Sequence, residues 1–149
     1  MCKGKVLMIF RSSKKTIYPS KLCFPGGKME YGETSVSTIL REYREETGIS
    51  LNVSNLKISA NLFQYHEDLK ALWKISVFTA SLEDFPKISS SSEGELEWVD
   101  VKDIDQNNRL IPPLNCYIKH VISPKNKIMY CSASLTNGKI DKIISEKYI

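Results

Sequence analysis

The chain opens with a continuous apolar run, Val6-Leu7-Met8-Ile9-Phe10, which predicts a buried strand starting a few residues from the first. A polar turn follows from Arg11 to Lys15. Leu22-Cys23-Phe24 then predicts a second extended piece, halted by Pro25-Gly26-Gly27. From Thr34 to Thr47 the period changes. Val36, Ile39, Leu40 and Tyr43 recur at i, i+3, i+4 and i+7, one apolar stripe of a helix, and Gly48 suits its left-handed stop. Leu56 to Gln64 and Ala71 to Ala80 read as a hairpin turning at His66-Glu67-Asp68. Ser89 to Ser92 reads as a flexible loop leading into Glu93–Val99, whose tail predicts another strand. Val101 to Asp105 suits a short helix or turn, and Leu110 to Val121 a helix with Leu114, Ile118 and Val121 on one face. Lys127 to Ser134 and Lys139 to Ile144 flank Asn137-Gly138, a strong hairpin signal. The order is α/β with mainly local, antiparallel pairing. Nothing repeats, and no linker divides residues 1–149.

At 149 residues such a domain can bury its core without staples. The four cysteines are widely separated, form no C-x-x-C pair and have only His66 and His120 to help them, so they read as reduced thiols rather than a zinc site. No apolar stretch is long enough for a secretory leader or a membrane span, and the expectation is a soluble, cytoplasmic protein. The net charge of +4 comes from scattered lysines. It suits a polyanionic small molecule and is too weak to argue for nucleic acid; the local cluster Lys119, Lys125 and Lys127 reads as a solvated face.

The helix carries the informative chemistry. Glu42, Glu45 and Glu46 stand at i, i+3 and i+4, so their carboxylates gather within one turn. Like charges this close weaken an isolated helix, an effect that Arg41 and Arg44 offset in part. With the opposite stripe committed to the core, the acidic face is left for solvent or a cation. Clustered hard oxygens suit Mg²⁺ or Mn²⁺, ions that bridge to phosphates. In the glycine turn beside the cluster, a backbone carbonyl is free to reach the same ion.

The stretch GKMEYGETSVSTILREYREETGI, Gly27 to Ile49, resembles the signature of the Nudix hydrolase family, G-x5-E-x7-R-E-U-x-E-E-x-G-U, where U is a bulky aliphatic residue. Gly27, Glu33, Arg41, Glu42, Glu45, Glu46, Gly48 and Ile49 fall on its fixed positions, and Tyr43 departs from it where an aliphatic is usual. The resemblance implies a Nudix-type α/β/α sandwich with a mixed sheet. The usual first strand is missing ahead of Val6, so the sheet is either short by one strand or completed by the C-terminal hairpin. It further implies that the Gly26 carbonyl with Glu42, Glu45 and Glu46 holds Mg²⁺ (or Mn²⁺), that Arg41 holds those carboxylates in place, and that Glu33 is structural beside Gly27. The proton of the attacking water is then taken by Glu45 or Glu42, or by one acid of Glu93, Glu95 and Glu97. Similar proteins carry an acid directly before the Trp, which favours Glu97.

By the same resemblance, the small size and the Trp98 strand followed by Pro-Pro look like the MutT type. The expected reaction is hydrolysis of a nucleoside triphosphate, including an oxidised one such as 8-oxo-dGTP, to monophosphate and pyrophosphate. Phe24, Lys28 and Tyr65 are the substrate-binding candidates. Tyr65 lies sixteen positions after Ile49, where a diadenosine-polyphosphate subgroup has a Tyr, and that activity is the alternative. The Pro of an ADP-ribose subgroup is absent from this region, Phe63-Gln64-Tyr65-His66. A non-catalytic nucleotide-binding regulator is the alternative from another class, although such proteins commonly lose signature glutamates. The partner expected is a nucleotide, with neither nucleic acid nor membrane, and a homodimer is compatible with the sequence.

Overall fold

The computed structural model describes residues 1–88, 92–123 and 127–149, so the expected loop at Ser89–Ser92 and the Lys125 position fall largely outside the described residues. Its strands are β1 (Lys5–Arg11), β2 (Leu22–Cys23), β3 (Leu56–His66), β4 (Ala71–Ala80), β5 (Gly94–Asp100), β6 (Met129–Thr136) and β7 (Lys139–Tyr148). Its helices are α1 (Ser35–Thr47) and the single-turn α2 (Ile118–Val121). The contacts divide the chain into two compact units. No helix among the described residues is long and apolar enough to cross a membrane.

The first unit comprises residues 1–56 and 80–111. Its sheet has the order β2-β1-β5, with β1 central and antiparallel to both neighbours. The apolar run of β1 explains that place: Val6, Leu7, Met8 and Ile9 are all buried, as a strand covered on both faces requires. β2 stops after two residues because Pro25 cannot extend the ladder. Helix α1 is capped at both ends. Thr34 and Ser37 exchange side-chain and backbone hydrogen bonds in a capping box, and Gly48 closes the helix at φ 75° with its N–H on the Arg44 carbonyl.

The second unit comprises residues 57–79 and 112–149. Its sheet runs β4-β3-β6-β7. The β3–β4 hairpin and the β6–β7 hairpin at Asn137-Gly138 form as expected, yet β6 pairs with β3 in parallel, from Ala60↔Met129 to His66↔Leu135. The sheet is therefore mixed, and the C-terminal hairpin is part of it. Pairing is less local than the sequence pattern implied, since β1 joins β5 and β3 joins β6 across long stretches of chain. The helix expected over Leu110–Val121 is also broken. Pro112–Cys116 forms a 3-10 helix and α2 starts only at Ile118.

Candidate active site

The glutamates of α1 do not share one environment. On a helical wheel Glu46 lies only about 20° from Ile39, so the acidic group flanks the apolar stripe instead of opposing it. The structure follows the wheel. Glu46 is 7% exposed, deeper than Val36, Ile39, Leu40 or Tyr43, while Glu45 is exposed. The expectation of an acidic face turned away from a buried stripe is thus corrected: the stripe is half-buried, and the interior positions of the helix are Thr38, Glu46 and Thr47.

Glu46 receives one hydrogen bond, from the Gly26 N–H to Oε2 at 2.7 Å. Its carboxyl is pushed up to about 7, by burial first and by the nearby charges of Glu42 and Glu93, against the Gly26 hydrogen bond and the Arg11 guanidinium. Glu42 approaches the glycine turn so closely that a Cβ on Gly27 would lie 2.2 Å from its Oε1. Any side chain at Gly27 would have to displace that carboxylate, which is the local reason for a glycine.

Arg41 organises the other end. It binds Glu33 through Nε–Oε1 at 2.7 Å and Nη2–Oε2 at 3.0 Å, Glu42 through Nη1 at 2.9 Å, Glu45 through Nη1 at 3.2 Å and the Lys28 carbonyl through Nη2 at 3.1 Å. Glu33 also accepts from the Thr38 hydroxyl at 2.8 Å and the Glu30 N–H at 2.9 Å. These bonds, led by the guanidinium, hold the Glu33 carboxyl down at about 2. Every donor here meets the ionised form, so the Glu33–Arg41 pair is a finished clamp.

Among the described residues, no three His, Cys, Asp or Glu side chains converge as a ready coordination sphere. Glu42 and Glu46 come together, whereas Glu45 is drawn towards Arg41. The donor set still fits a hard divalent cation: carboxylate oxygens, a flexible glycine turn and a buried acid with one hydrogen bond, where a cation would offset the cost of ionisation.

Of the three acids before Trp98, Glu97 is taken by Arg109 in a two-pronged ion pair, with Nη2–Oε1 at 2.6 Å and Nη1–Oε2 at 3.1 Å. The same guanidinium lies over the Phe10 ring, 5.6 Å from its centroid. Glu95 is paired with Phe10 on the same strand face. Glu93 is the acid that faces the α1 carboxylates, where it adds to the repulsion on Glu46 and binds Lys15 Nζ at 2.6 Å. Strict alternation would keep all three acids on one face, but Gly94 turns the backbone at φ 157°. A Cβ there would fall 2.1 Å from the Phe10 carbonyl. Sequence reasoning leaned to Glu97; the structure brings Glu93 rather than Glu97 near Glu46, and the sequence signal for that placement is this glycine at the start of the strand.

The substrate-binding candidates fall in both units. Phe24 is half-buried and Lys28 exposed beside the glycine turn, while Tyr65 is 42% exposed on β3, on the face opposite its buried neighbours Gln64 and His66. All four cysteines are free thiols.

Residues 1–120 match the family model described as the NUDIX domain. The chain belongs to the Nudix family. Over 89 residues it is 39% identical to the uncharacterized Nudix hydrolase YvcI of Bacillus subtilis, a match covering 59% of this chain and 56% of that protein. The chain thus spans little more than half the length of that curated relative. Among solved structures, a MutT protein from Bacillus halodurans superposes with a TM-score of 0.79 at 24% identity, covering 99% of this chain and 92% of the other. A Caenorhabditis elegans Ap4A hydrolase superposes with a TM-score of 0.60 at 19% identity, covering 78% and 82%. At these identities the structural matches establish the α/β Nudix fold. They leave the chemistry to the residues.

Proposed function

We propose that this Nudix chain is a divalent-metal-dependent pyrophosphatase that hydrolyses a nucleoside triphosphate, oxidised forms included, to the monophosphate and pyrophosphate. The observation that carries this reading is the buried, singly hydrogen-bonded Glu46 carboxylate beside Glu42 and the Gly26-Gly27 turn. A buried acid in the company of like charges costs stability, which the Gly26 hydrogen bond and the Arg11 charge offset only in part; its use is to bind a cation. Similarity to MutT proteins supports the triphosphate substrate, and the match over residues 1–120, which draws on both units, supports one Nudix domain.

Mg²⁺ (or Mn²⁺), when bound, neutralises charge on the cleaved phosphates and acidifies a water. The chain supplies the rest. The Gly26 carbonyl, Glu42, Glu45 and Glu46 offer the ligating oxygens, Arg41 fixes the carboxylates from the far side, and Glu33 fixes Arg41. Among the candidates for accepting the water's proton, Glu45, Glu42 and one loop acid, Glu93 is favoured over Glu97 as the loop acid because its charge reaches Glu46, with Lys15 bound to its far side. Glu45 must leave Arg41 to serve as a ligand, a turn that its exposed position allows.

A panel of nucleoside triphosphates, 8-oxo-dGTP and diadenosine tetraphosphate, each with Mg²⁺ and resolved by ion exchange, tests the reading. The expected result is metal-dependent release of pyrophosphate from a triphosphate. Faster cleavage of diadenosine tetraphosphate would favour the second reading, for which the exposed Tyr65 ring speaks. Binding without metal-dependent turnover would identify a regulator.

A further inference from the structure

The lysines are scattered along the sequence, but the sheet of the second unit gathers several of them. On β6, Met129, Cys131, Ala133 and Leu135 are buried, so the alternate residues Tyr130, Ser132, Ser134 and Thr136 define the outer face. The β7 residues opposite them are Lys147, Ser145, Lys142 and Lys139. On β3 the residues opposite Tyr130 and Ser134 are Asn61 and Tyr65. Ser76 of β4 donates to Asn61 Oδ1 at 3.1 Å, which puts Ser76, and Lys74 two residues before it, on the same face. Lysines on the two outer strands thus flank tyrosines on the two inner ones. Tyr65 is 42% exposed and Tyr130 37%.

These lysines are not neutralised. Among the described residues, none of Lys74, Lys139, Lys142 and Lys147 has an ion-pair partner. Glu146 stands opposite the buried Cys131, on the other face, and Asp141 accepts a hydrogen bond from the Thr136 hydroxyl at 2.6 Å. The register of β7 on β6 also shifts twice, between Ser132 and Ala133 and between Ser134 and Leu135. Such irregularities discourage a further strand from adding to an edge, so what β7 offers a partner is its face.

We propose that the outer face of this sheet docks single-stranded nucleic acid, its phosphates held by the lysines and a base stacked on the Tyr130 ring. Clustered positive charge without acid partners attracts a polyanion. The lysines of β4 and β7 stand three strand spacings apart, about 14 Å. A strand of several nucleotides covers that distance, and the phosphate tail of one nucleotide does not. Exposed rings between the lysines favour bases over the acidic side chains of a peptide, since every base has a face to stack. They also favour a single strand over a duplex, whose bases are stacked on one another. The proposal goes beyond the hydrolase reading and stands without it.

The test uses the full chain, metal-free, and fluorescence anisotropy of an oligo(dT) of about fifteen nucleotides with a 5′ hydroxyl and a 3′ label. The single strand is expected to bind at low salt, with log affinity falling against log salt at a slope of about 3 for four phosphate contacts. Lys142→Gln combined with Lys147→Gln should lower that slope by about 1.4, the share of two contacts. Tyr130→Leu should weaken binding about tenfold without changing the slope. Both variants should keep the parent far-UV circular dichroism and the parent triphosphate turnover with Mg²⁺. No binding at low salt, or binding that ignores both variants, would overturn the proposal. Poly-glutamate bound as tightly as oligo(dT), with no effect of Tyr130→Leu, would point to an acidic protein and overturn it too. Loss of turnover together with loss of binding would assign this face to the hydrolytic site, again overturning it. Binding sensitive to both variants in a chain that hydrolyses no nucleotide would uphold the docking face and overturn the hydrolase reading.

Discussion

Two glutamates of the same signature segment, Glu33 and Glu46, have opposite fates. Glu33 sits in a two-pronged bond with Arg41, with Thr38 and the Glu30 backbone completing its partners, and its carboxyl is held down at about 2. Glu46 is buried with a single N–H donor, like charges on two sides, and a carboxyl pushed up to about 7. The first is a group whose needs the protein meets itself. The second is left in want of positive charge. Residue type and signature spacing do not separate these roles; the count of partners does.

The largest effect expected from that difference is at Glu46. Glu46→Gln keeps the shape and removes the charge, so metal-dependent turnover should fall by about 10³-fold while the folded state is kept, with steady-state kinetics and far-UV circular dichroism as the measurements. Turnover within tenfold of the parent would mean that the unmet charge has no part in the reaction.

Next in size is the contrast between the loop acids. Glu93→Gln should lower kcat by about 10²-fold, the usual share of a general base, and Glu97→Gln by only a few-fold. If Glu97→Gln proved the more damaging, the Arg109 pair would have to open during turnover and the assignment of Glu93 would fall.

These contrasts show what the sequence could and could not tell. Helix α1 was legible to within one residue, from Thr34 to the Gly48 stop, because its signals act within a few positions. So was the grouping of Glu33, Glu42 and Glu45 around Arg41, because a signature fixes spacing. The depth of Glu46 was available from the helical angle yet hidden by the habit of opposing polar to apolar faces. The choice among Glu93, Glu95 and Glu97 was not legible by alternation, which the backbone at Gly94 breaks. Nor was the parallel pairing of β6 with β3, whose register is set by contacts across the chain rather than along it.

At the clamp the effect should move from chemistry to stability. Glu33→Gln leaves Arg41 without its bidentate partner, so Tm should fall by a few degrees while kcat falls by no more than about tenfold, through looser placement of Glu42 and Glu45. Thermal melts and kinetics on the same preparation separate the two. A kcat loss as large as that of Glu46→Gln, with Tm unchanged, would place Glu33 in the chemistry and erase the distinction.

The smallest effect, and the most direct reading of the comparison, is the pH dependence of the metal-free protein. A carboxyl whose folded value lies above its unfolded one binds protons more readily when folded, so folding gains stability as the pH falls through that interval. For Glu46 the interval runs from about 7 down to the ordinary value of 4.5, and the gain amounts to at most about 3 kcal/mol. Glu33 has the opposite sign: its contribution is complete above 4.5 and is lost as the pH falls towards about 2. The metal-free protein should therefore become more stable from pH 7 to about 5 and less stable below 4.5. In Glu46→Gln the rise should vanish while the acid limb stays; in Glu33→Gln the acid limb should soften while the rise stays. Saturating Mg²⁺ should flatten or reverse the rise, since the cation and the proton compete for the same carboxylate. Urea melts at half-unit steps of pH would resolve both limbs, and a wild-type profile flat between pH 7 and 5 would show that Glu46 is no more costly to ionise than a surface acid.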